Sequence, residues 1–162
     1  MERPKDRLLV ESLNHQLLES WNKMDAMQFA SLFAENGSVI GFDGSQANGR
    51  HEIEAHLAGI FANHTVASYI GIIKEIRFFS PEIAILRAVA GMVPPGQYEI
   101  NPKTNAVQTV VVRRENKRFA IETYQNTPAA FHGRPELTKQ LTEEVRSELQ
   151  KRSAAGGQYT RS

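Results

Sequence analysis

The sequence predicts an α+β domain in which a cone-shaped, curved antiparallel sheet wraps around N-terminal helices and leaves an internal pocket. Three observations carry this reading. Residues 9–33 keep helical spacing of apolar positions. Residues 66–127 divide into four runs rich in β-branched and aromatic residues, separated by turn signals. Between these regions lie only a short apolar strand at 38–42 and one more helical pattern. Consecutive strands joined by turns pair antiparallel, and long strands twist, so the sheet curls over the helices.

The first helix is marked by Leu9, Leu13, Leu17 and Trp21, which recur on one face. Asn22 and Lys23 interrupt it. Asp25 then serves as an N-cap with Gln28 completing a capping-box pattern, and Ala26, Phe29, Ala30 and Phe33 face inward. Glu35, Asn36 and Gly37 end that second helix. A turn, FDGSQANGR, follows the short strand, and Ile53, Leu57, Ile60 and Phe61 define the third helix. The long strands are expected at 66–79, 82–93, 104–115 and 117–127, with Ser80-Pro81 and Glu115-Asn116-Lys117 as turns. Past Pro128, Pro135 opens a helix over about 135–150 whose apolar residues Leu137, Leu141, Val145 and Leu149 suit the sheet or a partner subunit. The expected domain covers residues 1–152, and the tail 153–162 has no apolar pattern and is expected to be disordered.

Composition narrows the function classes. The chain has 162 residues, 41% hydrophobic and 23% charged, as expected for one globular domain. A net charge of +1 offers no bulk field for nucleic acid or acidic lipid. Arg113, Arg114, Lys117 and Arg118 read as a solvated strand edge and turn. There are no cysteines, so disulfides, thiolate metal ligands and cysteine nucleophiles are excluded. The charged start MERPKDRLLVESL is unlike a secretory leader, and no apolar run nears the roughly 20 residues that span a bilayer. A cytoplasmic location without membrane or nucleic-acid partners is expected. With no P-loop, GxSxG or GxGxxG motif, no cofactor is expected.

Several residues are candidates for chemistry. Asp43 lies just after an apolar strand: inside the cone mouth, desolvation would raise its pKa and suit it to proton transfer, whereas in a D-G turn it would merely bond nearby backbone. Arg87 interrupts the strand IAILRAVAGM on the row of Ile83, Ile85 and Val89. It pairs with an acid inside the cone, lies at a dimer interface, or faces solvent. On the last strand Phe119 and Ile121 mark the core row, which aims Thr123 and Gln125 into the pocket as orienting groups or into a structural network. Trp21 and Tyr69 are core or pocket wall. His51, near the third helix start, reaches the pocket rim. His51 and His56 are about 140° apart around a helix and do not form a ligand pair, so no metal site is expected.

The motifs Trp21 with Asp25 and Phe29, then LFAENGSV, GRHEI, SPEIAIL and RRENKRFAIETYQNTPAA resemble the nuclear-transport-factor-2-like (NTF2-like) superfamily, and within it the SnoaL-like, SgcJ/EcaC family. The match spans about residues 9–130. The resemblance implies a homodimer packed through the sheet face and an apolar pocket for a small organic ligand. It embraces cofactor-independent isomerases, dehydratases, cyclases and hydrolases as well as non-catalytic binding or association modules. Against the ketosteroid isomerases in that superfamily, Gly41 aligns where their Asp base stands, with Asp43 two residues on, so their mechanism does not transfer.

Overall fold

The computed structural model describes residues 3–155. Its elements are helices α1 (Pro4–Asn22) and α2 (Ala26–Ser31), strands β1 (Phe33–Ile40) and β2 (Gln46–Asn48), helix α3 (Arg50–Asn63), strands β3 (Ser68–Ser80) and β4 (Ile83–Val93), a short 3-10 turn (Pro102–Thr104), strands β5 (Ala106–Glu115) and β6 (Arg118–Pro128), and helix α4 (Pro135–Ala154). One curved, unclosed sheet holds all six strands in the order β2-β1-β6-β5-β4-β3. The β1–β6 pair is parallel and the rest are antiparallel.

Three bulges set which side chains face the helices. Pairing steps from Ile73 to Glu75 on β3 against Ala88 to Arg87 on β4, leaving Lys74 extra. Phe79 is extra in the same strand. On β6, Ile121 and Thr123 pair with Val112 and Val111, leaving Glu122 extra. Each bulge bends the strand and adds twist, which curls the open sheet over α1, α2 and α3. The bulges at Lys74 and Glu122 also reverse the inward parity beyond them.

The inner face buries Leu17, Phe29, Phe33, Ile53, Leu86, Val110 and Ile121 among others in one cluster with the three N-terminal helices. Helix α4 covers the outer face at the β3–β4 end, where Leu141, Val145 and Leu149 pack on Ile70, Val93 and Ile100. The helix comes so close that a Cβ on Gly91 would stand 2.9 Å from Val145 Cγ1.

Three expectations need correction. The second helix ends at Ser31, not beyond Phe33: Ile121 donates its N–H to the Leu32 carbonyl at 2.9 Å and Phe33 enters the sheet beside Ile121. The turn 42–50 contains β2, which pairs with β1. Arg114 is not a solvated edge residue, because its Nη2 meets Asp6 Oδ2 at 2.5 Å with both side chains largely buried, tying the start of α1 to β5. Helix α4 also runs past the expected boundary to Ala154, and residues 156–162 of the expected tail lie outside the described residues.

Candidate ligand-binding site

The cone encloses a cavity of about 370 Å³. Leu18 and Trp21 of α1, Phe29 of α2, Val39 of β1, Leu57 and Ile60 of α3, and Met92 of β4 make its wall apolar. Tyr69, Tyr124 and Asn126 supply polar groups from the sheet. Gly41, Phe42, Asp43 and Ser45 from the turn after β1, with His56 of α3, form the rest of the lining.

Each wall residue is held by local chemistry. The Trp21 indole N–H donates to the Ala67 carbonyl at 2.9 Å, and its ring meets Phe61 and Tyr69 edge-on at 5.3 and 5.6 Å between centroids. The Asn22 side chain clasps the Tyr69 backbone twice, accepting from its N–H at 2.7 Å and donating to its carbonyl at 3.0 Å. Asn22 thus fixes both the end of α1 and the entry of β3. Asp25 accepts from the Gln28 N–H at 3.0 Å, capping the helix that presents Phe29.

The sheet-side polar groups form one network. Gln108, wholly buried on β5, donates through Nε2 to the Tyr124 hydroxyl at 2.9 Å and to Asn126 Oδ1 at 3.3 Å. Asn126 Nδ2 donates to the Tyr69 hydroxyl at 2.6 Å. Burial pushes the Tyr69 phenol up to about 12, against a smaller pull downward from Asn126. Burial, followed by the nearby Tyr69, holds Tyr124 well above its ordinary value. Both phenols are therefore neutral at physiological pH and act as hydrogen-bonding groups, not as bases.

The turn side is different in kind. Asp43 Oδ1 accepts from the Ser45 N–H at 2.9 Å, and the residue is exposed. That hydrogen bond, ahead of the Ser45 hydroxyl and a lesser contribution from the charge on His56, holds its carboxyl below the usual value. Asp43 is an ionised turn residue, the opposite of a carboxyl desolvated for proton uptake. Among the described residues no three His, Asp or Glu side chains gather as a metal centre, and no helix is long and apolar enough to cross a membrane.

No family model and no curated protein matches the sequence. Solved structures do match. A domain of unknown function with a cystatin-like fold from Nostoc punctiforme superposes with a TM-score of 0.76 at 23% identity, covering 95% of this chain and 98% of that one. A ketosteroid isomerase-like protein from Erwinia carotovora gives 0.62 at 15% identity, over 78% and 98% of the two chains. An NTF2-like protein of unknown function from Shewanella oneidensis gives 0.58 at 20%, over 77% and 99%. The fold is the NTF2-like, cystatin-like cone.

On this NTF2-like frame the expected site residues separate. Trp21, Tyr69 and Asp43 line the cavity. Arg87 does not: it stands exposed on the outer face, where Glu75 Oε1 lies 3.9 Å from its Nη1. Ala84, Leu86, Ala88 and Ala90 are the inward row of β4, so Arg87 falls on the opposite parity. Thr123 and Gln125 also face outward, the first accepting from the Ser38 hydroxyl at 3.0 Å and the second exposed. The bulge at Glu122 is the reason: it hands the inward row from Phe119 and Ile121 to Tyr124 and Asn126. His51 is exposed on α3 and is not among the lining residues; His56, further along the same helix, is.

Sequence reasoning missed Tyr124, Asn126, Gln108 and His56. A signal existed for Gln108, a glutamine on the row of Ala106, Val110 and Val112. A polar side chain on a buried row needs partners, and that asks which neighbouring strand supplies them.

Proposed function

We propose that this chain binds a small, mostly apolar organic molecule inside the cone, with a polar end of the ligand against Tyr69, Tyr124 and Asn126. The observation that carries this is the combination of an apolar wall with three convergent polar groups, the usual composition of a small-molecule site. Trp21 is the single tryptophan and lines the cavity, so its fluorescence reports occupancy directly. Titration with an uncharged naphthalene dye should change Trp21 emission and saturate. In Val39→Phe, which fills part of the cavity, the dye should bind at least ~10-fold more weakly, while the circular dichroism spectrum stays that of the parent. Unchanged dye affinity in that variant would refute the site.

A second reading, cofactor-independent acid–base chemistry, has its own observation. His56 and Asp43 both belong to the turn-side lining of the cavity, an imidazole and a carboxylate that make a candidate acid–base pair. In this reading His56 moves the proton with Asp43 as its carboxylate partner, and the phenols bind an oxygen of the substrate. Arg87 has a different part. With Ile83, Ile85 and Val111 it occupies outer sheet surface beside that covered by α4, a face suited to a second copy of the chain. On its residue motifs alone, the chain is proposed to fall with the SgcJ/EcaC group inside the NTF2-like fold.

A further inference from the structure

The hydrogen bonds behind the cavity wall have a direction, and that direction constrains the ligand. This inference rests on the reading of the cavity as a ligand site. Gln108 Nε2 spends its two hydrogens on Tyr124 and Asn126, and Asn126 Nδ2 donates to Tyr69. Every one of these bonds runs from a buried amide outward, so both phenolic oxygens act as acceptors. Gln108 Oε1 is left buried with no partner.

The reverse arrangement would turn both amides over and let the phenols donate to them. It would put the Gln108 NH2 group, with two hydrogens, where one carbonyl oxygen now lies unmatched. The reverse arrangement strands two N–H donors behind the wall, whereas the observed one leaves a single acceptor there and moves the unmatched donors to the two phenols that line the cavity. In that direction neither phenolic hydrogen has an acceptor among the described residues. Two neutral O–H donors are thus available to the cavity.

Charge completes the selection. Among the described residues no lysine or arginine lines the cavity, and His56 is the single basic one there. A carboxylate brought to the phenols would lose its hydration without gaining a counter-charge there, which is costly. A ligand hydroxyl can also accept from the phenols, but its own hydrogen is then left without an acceptor at that end of the cavity. A neutral carbonyl oxygen meets both donors with nothing left over.

We infer that the buried Gln108–Asn126 amide pair sets the cavity to select neutral carbonyl compounds, such as cyclic or aromatic ketones, over the corresponding alcohols. Gln108 touches no ligand. It is a positioning residue that determines specificity by holding Asn126 and Tyr124 in one hydrogen-bonding sense.

The test uses three probes of one shape, indanone, indanol and indane, titrated against the full chain with Trp21 fluorescence as readout. Indanone is expected to bind about 3- to 10-fold more tightly than indanol, the range of one or two neutral hydrogen bonds. Tyr69→Phe and Tyr124→Phe should each reduce indanone affinity by about 3-fold or more and leave indane unchanged. Gln108→Met frees Asn126 to turn over, so the ketone-to-alcohol ratio should fall toward unity. A merely structural glutamine would weaken all three probes together and keep the ratio. If Gln108→Met does not fold, the two Phe variants decide. Equal binding of indanone and indanol to the unaltered chain, or preference for indanol, overturns the inference and leaves the cavity as a ligand site. Binding of none of the three, indane included, removes the site itself.

Discussion

Two buried phenols should make this protein lose stability in alkali in a way that can be assigned to them. Tyr69 is held up to about 12 from an ordinary value of 10.0, chiefly by burial. In the unfolded chain its proton leaves near pH 10; in the folded chain it stays until near pH 12. A raised folded pKa gives a contribution that is complete below the unfolded pKa and disappears as pH rises through the folded one. The window for Tyr69 is therefore pH 10 to 12. Two pKa units correspond to about 3 kcal/mol over the whole window, or about 1.4 kcal/mol for each pH unit. Tyr124, fully enclosed and shifted in the same direction, adds a loss of the same sign beginning at the same pH.

The assay is urea unfolding at a series of pH values from neutral to 11, with Tyr69→Phe/Tyr124→Phe as reference. Lysines also titrate there, and the reference subtracts them. Between pH 10 and 11 the parent should lose about 1–3 kcal/mol more than the double variant. Near-ultraviolet absorbance should show part of the tyrosinate signal appearing only as the chain unfolds. Parallel pH profiles for parent and variant would refute the argument, as would every tyrosine ionising near pH 10 in the folded chain.

Two further outcomes test the remaining readings. Ile85→Lys puts a charge at the centre of the uncovered outer face; sedimentation should show the mass of one chain where the parent sediments as two, with Trp21 emission and dye binding unchanged. A parent that sediments as a single chain would end the dimer proposal. His56→Gln keeps a neutral polar side chain at the lining and should leave dye affinity within about 2-fold. Any turnover discovered for the cavity should fall at least ~100-fold in that variant, the usual share of a general acid or base; undiminished turnover would exclude His56 as proton carrier.

The helices were legible because their signals are local. The spacing of Leu9, Leu13, Leu17 and Trp21 needs only a periodic apolar face, and the Asp25 cap reaches a backbone N–H three residues on. The four long strands declared themselves by residue type and by their turns. The site was read less well. Trp21 and Tyr69 line the cavity, while the alternation of Phe119 and Ile121, carried straight through Glu122, puts Thr123 and Gln125 inside, where the bulge keeps them out. Arg87 was open among three positions for a related reason: the row of Ile83, Ile85 and Val89 looks like a core row until the alanines of the other row are seen packed under the helices.

The sequence by itself determined the fold class, the helices and the four long strands, all of which depend on residues close together in the chain. It left open β2 and the part played by Asp43. Tertiary structure decided the inward parity, the parallel β1–β6 pairing, the seat of α4 on the outer face and the amide–phenol network. A bulge is a mismatch between two strands, so neither strand carries it alone. The hydrogen bonds from Gln108 to Tyr124 and from Asn126 to Tyr69 join residues 16 and 57 positions apart. Their direction decides whether the unmatched donors lie behind the wall or at the cavity, and that choice exists only once the groups have been packed together.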